Sequence, residues 1–281
     1  MFSDEELIRI LLEDCPYGDI TTHGLGIGDV PARMRFAARA PMTLAGVEQA
    51  ARLLELCGAG VRMHAPSGAS VEAGATILEA SAAAASLHRG YKTAQTLLEI
   101  LGGVASAARA IVQAAREGAP ACRVVCTRKH VPGIKRWALL AIEAGGAIPH
   151  RLGLSDSVLV FEQHRVLLDA GVTIDACIER LRARAPERRV SIEAESVEEA
   201  IACARAGADV VQVDKLDPAH VERIAQAFAS LRQRPLLAAA GGIDERNAAA
   251  YARAGADLLV TSAPYYARPR DVRVEMRRDD A

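Results

Sequence analysis

Residues 191–216, SIEAESVEEAIACARAGADVVQVDKL, hold the pattern that decides the fold. SIEAE is a short run with strand period. An alanine-rich helical run follows, ends in Ala-Gly-Ala, and hands over to a second β-prone run, DVVQVD. Two short strands joined in this way by a helix make a parallel βαβ unit. The same pattern continues in both directions, through CRVVC (122–126) and DSVLVF (156–161) upstream and RPLLAAA (234–240) and DLLVTS (257–262) downstream. Six strand–helix alternations are therefore expected from Cys122 onward. With no GxGxxG among them, they predict an α/β fold of the open or incomplete (β/α) barrel type rather than a dinucleotide fold.

In such barrels the chemistry sits where the strands end, so the residues after each strand carry the functional reading. Arg128-Lys129 follow CRVVC, and His150-Arg151 follow a helical stretch broken at Gly145-Gly146. Glu162-Gln163-His164 follow DSVLVF. Cations at neighbouring strand ends suggest an anion site; the competing reading is ordinary solvated charge. In SIEAE, Glu193 and Glu195 share a face, and one of them can point into the barrel mouth. Asp214 shares a face with Gln212 at the end of the next strand. Two carboxylates on adjacent strand ends can hold Mg2+ or ribose hydroxyls and leave a negative field for a developing cation. Salt bridges to barrel lysines or arginines are the alternative. Strand parity sets Lys215 opposite Asp214, which weighs against a Schiff-base aldolase built on that lysine. Ala240-Gly241-Gly242-Ile243-Asp244 leaves backbone N–H groups uncovered for a phosphate, and the hydroxyls of Thr261 and Ser262 can add donors.

The N-terminal part reads as a small α+β domain. Residues 3–15 form an amphipathic helix with Ser3 and Glu6 spaced as a capping box. Pro16-Tyr17-Gly18-Asp19 turns the chain. Strands are expected at 33–40, 61–65 and 76–80 and a helix at 46–57. Two helical segments are expected around Gly102-Gly103.

Composition limits what the chain can do. With 34 Lys+Arg against 35 Asp+Glu, a net charge of -1 offers no footprint for nucleic acid or an anionic membrane. The N-terminus lacks the basic and apolar regions of a leader, and no run reads as long enough to span a bilayer, so a cytoplasmic location is expected. The six cysteines lie inside apolar runs without C-x-x-C spacing, as buried small residues do.

Thr127-Arg128-Lys129-His130-Val131-Pro132-Gly133, then His150-Arg151, then a strand ending in Phe161-Glu162-Gln163-His164 resembles the type II phosphoribosyltransferases that make nicotinate mononucleotide from quinolinate. Their pattern is TRKT-x-PG, HR and KDNH. EDCPYGDITT (13–22) is similar to the family's opening EDxxxGDxTT. The FEQH ending looks like the ModD group, pyrophosphorylases associated with molybdenum-transport operons. The resemblance implies an N-terminal domain of residues 1–116, a barrel of 117–267, and a segment 268–281 that returns to the N-terminal sheet. It implies transfer of the phosphoribosyl group of phosphoribosyl pyrophosphate, with Mg2+, to a nitrogen heterocycle.

By the same resemblance Glu193 and Asp214 are catalytic and metal-associated, and Lys129 joins the basic residues that stabilise departing pyrophosphate. Arg128, His150 and Arg151 bind the acceptor. Gly241, Gly242, Thr261 and Ser262 bind the 5'-phosphate. Lys92 stands where the family has an arginine that reaches the active site of the neighbouring subunit, so a homodimer or higher oligomer with a shared site is implied. Phe161 replaces the KDNH lysine. One cation of the dicarboxylate clamp is lost and one planar fork becomes a point charge, which implies a different acceptor. The contrasting reading is a non-catalytic oxyanion- or nucleotide-binding protein that keeps only the cation cluster.

Overall fold

The structure, a computed structural model, describes residues 2–279 and falls into two units; residues 280 and 281 of the expected returning segment lie outside the described residues. The first unit takes the chain up to Arg109, Pro132–Gly146, and the chain from Tyr266 on; the second takes Ala110–Val131 and Ala147–Tyr265.

In the first unit the helix Asp4–Asp14 starts as its capping box predicts. The Glu6 N–H donates to Ser3 Oγ at 3.3 Å, and the Ser3 N–H donates to Glu6 Oε2 at 2.9 Å. Its buried Leu7 and Leu11 belong to one apolar side. Five strands follow: β1 (Pro31–Ala38), β2 (Met42–Thr43), β3 (Gly60–Met63), β4 (Ser70–Val71) and β5 (Thr76–Ala83). A late strand, β13 (Val272–Arg278), pairs antiparallel with β1, giving a four-stranded sheet in the order β13-β1-β5-β3. The sheet and the helix Val47–Leu56 close over Met34, Phe36, Leu53, Leu54, Ile77 and Leu78, all 1% exposed or less.

Two expectations fail at the long helix of this unit. Gly102 and Gly103 do not break a helix; Ala84–Gly118 is one continuous helix of 35 residues. The glycines are there for close approach. A Cβ on Gly102 would lie 2.3 Å from Met42 Cε, and one on Gly103 would lie 2.4 Å from the Arg268 carbonyl oxygen. The same helix is long and apolar enough to cross a membrane by length and composition, contrary to the sequence reading, but half of its most apolar window is buried within the protein. A core helix meets the same criteria.

The helix Lys135–Ala144 also differs from expectation, because it belongs to the first unit rather than to the barrel. Trp137 stacks on Phe2 with ring centroids 3.8 Å apart, and Arg136 lies over the same ring and pairs with Glu6. Gly145, just past the helix, lets the backbone pass the Ala105 carbonyl where a Cβ would come within 2.5 Å.

The second unit holds β6 (Arg123–Cys126), β7 (Ile148–Pro149), β8 (Val158–Val160), β9 (Val190–Ala194), β10 (Val210–Asp214), β11 (Leu236–Ala240) and β12 (Leu258–Thr261). All neighbours are parallel, in the order β7-β6-β12-β11-β10-β9-β8. The outer strands β7 and β8 do not pair with each other, so this is an open α/β barrel. There are seven strands rather than six, since β7 is two residues long and carries no periodicity to read. Inward-facing Val125, Val210, Ala238, Ala240 and Val260 fill the barrel below its mouth.

Candidate active site

A cleft of about 980 Å³ opens at the carboxyl ends of the second unit's strands. Going round the sheet, its wall carries His150 and Arg151 after β7, Thr127, Arg128 and Lys129 after β6, Thr261 and Ser262 from β12, and Gly241 and Gly242 after β11. Asp214 of β10, Glu193 of β9 and Phe161 after β8 complete it. Eleven of the twelve residues singled out in the sequence thus meet in one cleft. Lys92 is the exception: it is an exposed residue of the Ala84–Gly118 helix in the first unit, and its ammonium donates to Gln95 Oε1 at 3.1 Å.

The cationic side is built by two strand ends. The Thr127 N–H continues the ladder to the Thr261 carbonyl (2.9 Å), and the His150 N–H reaches the Cys126 carbonyl (2.8 Å), so Arg128 and Arg151 leave the sheet side by side. Neither guanidinium has a carboxylate partner among the described residues. Burial and then the charge of Arg128 pull the pKa of Arg151 down, and burial followed by Arg151 lowers that of His150. A neutral imidazole beside two uncompensated guanidinium groups is a ready receptor for an anion.

On the acidic side, Glu193 is half-buried and points into the cleft while Glu195 is exposed beyond the strand end, which settles the choice between them. Gln212 Nε2 donates to Glu193 Oε2 at 2.7 Å across the β9–β10 register. The pKa of Glu193 is raised, first by burial and then, against the Gln212 hydrogen bond, by the nearby charge of Asp214. Gln212 itself is 6% exposed, and its Oε1 has no hydrogen-bond partner, so the floor of the cleft presents one unused acceptor.

Lys215 corrects the parity argument. Its φ of 58° is the single positive value outside glycine among the described residues, and it turns the side chain back to the Asp214 side. Such a backbone costs on the order of 1 kcal/mol. The ammonium sits 2.8 Å from Asp214 Oδ2. This does not revive the aldolase reading: the hydrogen bond and charge of Asp214 raise the Lys215 pKa and keep the amine protonated, whereas a Schiff-base nucleophile needs it lowered.

The phosphate loop is altered relative to expectation. A Cβ on Gly241 (φ 92°) would lie 2.6 Å from Lys215 Cγ and 2.7 Å from its backbone N, so this glycine makes room for the lysine stem. Gly242 (φ 71°) borders open space, and Asn247 Nδ2 holds its carbonyl at 2.9 Å. Thr261 is not a free donor. Its hydroxyl donates to the Ile243 carbonyl at 2.6 Å and accepts the Ala263 N–H at 3.0 Å. Ser262 and the N–H groups around Gly242 remain as the donor set.

Magnesium at Glu193 and Asp214 meets a poor fit. Each carboxylate already has a donor, Gln212 or Lys215, and no group of three His, Cys, Asp or Glu side chains suited to a metal occurs among the described residues. The cysteines are free, and burial raises the thiol of Cys126 to about 12. Phe161, at the end of β8, packs on His164 with centroids 4.3 Å apart, and its N–H donates to His164 Nδ1 at 3.3 Å. Besides Lys215, the sequence reading missed Arg246, which lines the cleft while paired with Asp244.

Comparison with known proteins identifies the family. The family description "Quinolinate phosphoribosyl transferase, C-terminal domain" matches residues 104–275, and its N-terminal counterpart matches 19–101. The chain is 44% identical over 257 residues to "Putative pyrophosphorylase ModD" of Rhodobacter capsulatus, covering 91% of this chain and 98% of that protein. It is 31% identical over 261 residues to "Nicotinate-nucleotide pyrophosphorylase [carboxylating]" of Mycobacterium leprae, covering 91% and 90%. The crystal structure of NadC from Streptococcus pyogenes superposes with a TM-score of 0.89 at 25% identity, covering 99% of this chain and 97% of that one. The chain belongs to the quinolinate phosphoribosyltransferase family, with ModD proteins among its relatives.

Proposed function

We propose that this protein moves the phosphoribosyl group of phosphoribosyl pyrophosphate to a nitrogen heterocycle other than quinolinate. The observation that carries the reading is the polarity of one cleft, which has unpaired Arg128 and Arg151 on one side, the carboxylates of Glu193 and Asp214 on the other, and the apolar ring of Phe161 at its edge. The bond from the ribosyl carbon to the pyrophosphate oxygen breaks with its electron pair leaving on pyrophosphate. Lys129 offsets the charge that develops there, while Arg128, His150 and Arg151 hold the acceptor. Glu193 and Asp214 face the ribosyl carbon as it becomes cationic, and a lone pair on the acceptor's ring nitrogen forms the new bond, so no general base is required. Ser262 and the N–H groups around Gly242 would hold the 5'-phosphate. Magnesium enters on the pyrophosphate, as part of the substrate.

The acceptor is inferred to be poorer in carboxylates than quinolinate. Phe161 gives a substrate carboxylate no partner, and a charged hydrogen bond is worth about 1.5–3 kcal/mol, or roughly ten- to a hundredfold in affinity. A cytoplasmic homodimer, in which Lys92 reaches the neighbouring cleft, completes the proposal. The test is pyrophosphate release from phosphoribosyl pyrophosphate with a panel of heterocyclic bases. Base-dependent release supports transfer. Nucleotide binding without release for any base favours a binding protein instead.

A further inference from the structure

We infer that Lys215 is the resident cation of the Glu193–Asp214 pair, occupying the position at which such a pair would otherwise bind a divalent metal. The inference deepens the transferase reading but stands on the geometry of the substrate-free site. Three features converge on the ammonium. The left-handed backbone at Lys215 turns its side chain, 81% exposed, to the border of the cleft beside Asp214. The Lys215 N–H, bonded to the Ala240 carbonyl at 2.8 Å, continues the β10–β11 ladder and fixes where the stem starts. The bare face of Gly241 then accommodates the stem, since a Cβ there would collide with Lys215 Cγ. A left-handed backbone kept by a residue other than glycine is strain of the kind that accompanies a fixed side-chain placement.

The outcome is an ammonium 2.8 Å from Asp214 Oδ2, while Gln212 caps Glu193 from below. A carboxylate pair that carries two negative charges attracts a dication; the same pair with an ammonium seated on it carries one. Mg2+ also demands near-octahedral oxygen ligation and gives up its water reluctantly, so two carboxylates already engaged by donors hold it poorly. The charge that remains is one carboxylate's worth, facing the ribosyl carbon. The consequence for specificity is that divalent metal reaches this cleft bound to a polyphosphate group rather than waiting in it.

The probe is Mn2+ alone, titrated into the substrate-free full chain and followed by the loss of the free-ion electron paramagnetic resonance signal. The parent protein is expected to show no saturable binding at millimolar Mn2+. Lys215→Asn removes the charge with a residue that tolerates the left-handed backbone, so it should fold, as its melting curve checks. It should gain one site at least tenfold tighter than anything in the parent. Lys215→Arg should stay without one, and Asp214→Asn added to Lys215→Asn should abolish the gain. Stoichiometric Mn2+ binding by the parent overturns the inference, as does a folded Lys215→Asn protein that binds no better than the parent. Because no substrate is present, failure to find an acceptor base leaves this test intact, and failure here leaves phosphoribosyl transfer intact.

Discussion

The hydroxyl of Thr261 donates to the carbonyl of Ile243 while accepting the N–H of Ala263, so one buried side chain ties the loop after β11 to the loop after β12. Thr261→Val keeps the shape and removes both bonds, leaving a carbonyl and an N–H without partners at a residue 4% exposed. A loss of about 1–3 kcal/mol is expected in urea unfolding, and Thr261→Ser should recover most of it. Equal stability for Val and Thr would show that the loops do not depend on this tie.

Glu193→Gln should lower turnover at least tenfold, about 1.4 kcal/mol of barrier, without lowering the melting temperature at pH 7. The sign follows from linkage. A carboxyl whose folded pKa is raised contributes stability at pH below its unfolded value, and this is lost as the pH rises through the folded value. At pH 7 the ionised Glu193 is therefore a liability that glutamine removes. In the parent, the acid limb of the rate profile should lie above the ordinary glutamate value of 4.5 and vanish with Glu193→Gln. Asp214→Asn should also cut turnover at least tenfold, and unchanged turnover would take it out of the mechanism.

Gly242→Val should weaken phosphoribosyl pyrophosphate binding in calorimetry. The added side chain meets nothing, but φ of 71° is strained for a β-branched residue, and relief of that strain turns the loop's N–H groups away. Equal affinity before and after the change would move the phosphate elsewhere.

His150 supplies a pH test of the cationic wall. Its folded pKa is depressed by burial and by Arg151, so the fold favours the neutral ring and stability should fall as the pH drops through the ordinary histidine value of 6.5. His150→Gln should flatten that part of the stability profile. An unchanged profile would mean that the ring titrates as in the unfolded chain.

Quinolinate should be a poor acceptor for the parent, and Phe161→Lys combined with Lys92→Arg should raise its turnover. The first change restores a cation at the cleft edge; the second restores a planar fork on the helix that is inferred to serve the neighbouring subunit. Efficient nicotinate mononucleotide formation by the unmodified protein, matching its best other acceptor, would refute this.

Much of the barrel was legible because each of its longer strands alternates or runs apolar between helices of fixed spacing, so parity brought Asp214 and one of Glu193 and Glu195 to the mouth, and the family resemblance chose Glu193. Parity failed at Lys215 because the rule holds only while φ stays negative, and nothing in VVQVDKL announces the change of sign. The glycine pair at 102 and 103 misled for a related reason. Composition records that a residue lacks a side chain but not what backbone comes close, and here that is Arg268, more than 160 residues along the chain. Thr261 looked like a phosphate donor because a hydroxyl at a strand end is visible in sequence, whereas the carbonyl that consumes it is not. The helix Lys135–Ala144 has the pattern of any barrel helix; its packing with Phe2 and Glu6 depends on contacts across the length of the chain.

The pairing of β13 with β1 has a consequence for the order of assembly. Every strand of the open barrel lies between Arg123 and Thr261, so a growing chain holds the whole parallel sheet before Val272 is made. Until then β1 has a hydrogen-bonding edge without its neighbour, an unpaired template of the kind that recruits strands from other chains. During synthesis the unit that begins first is therefore finished last, and translational pauses or truncations beyond residue 261 should endanger it through aggregation while the cleft of the second unit is already formed.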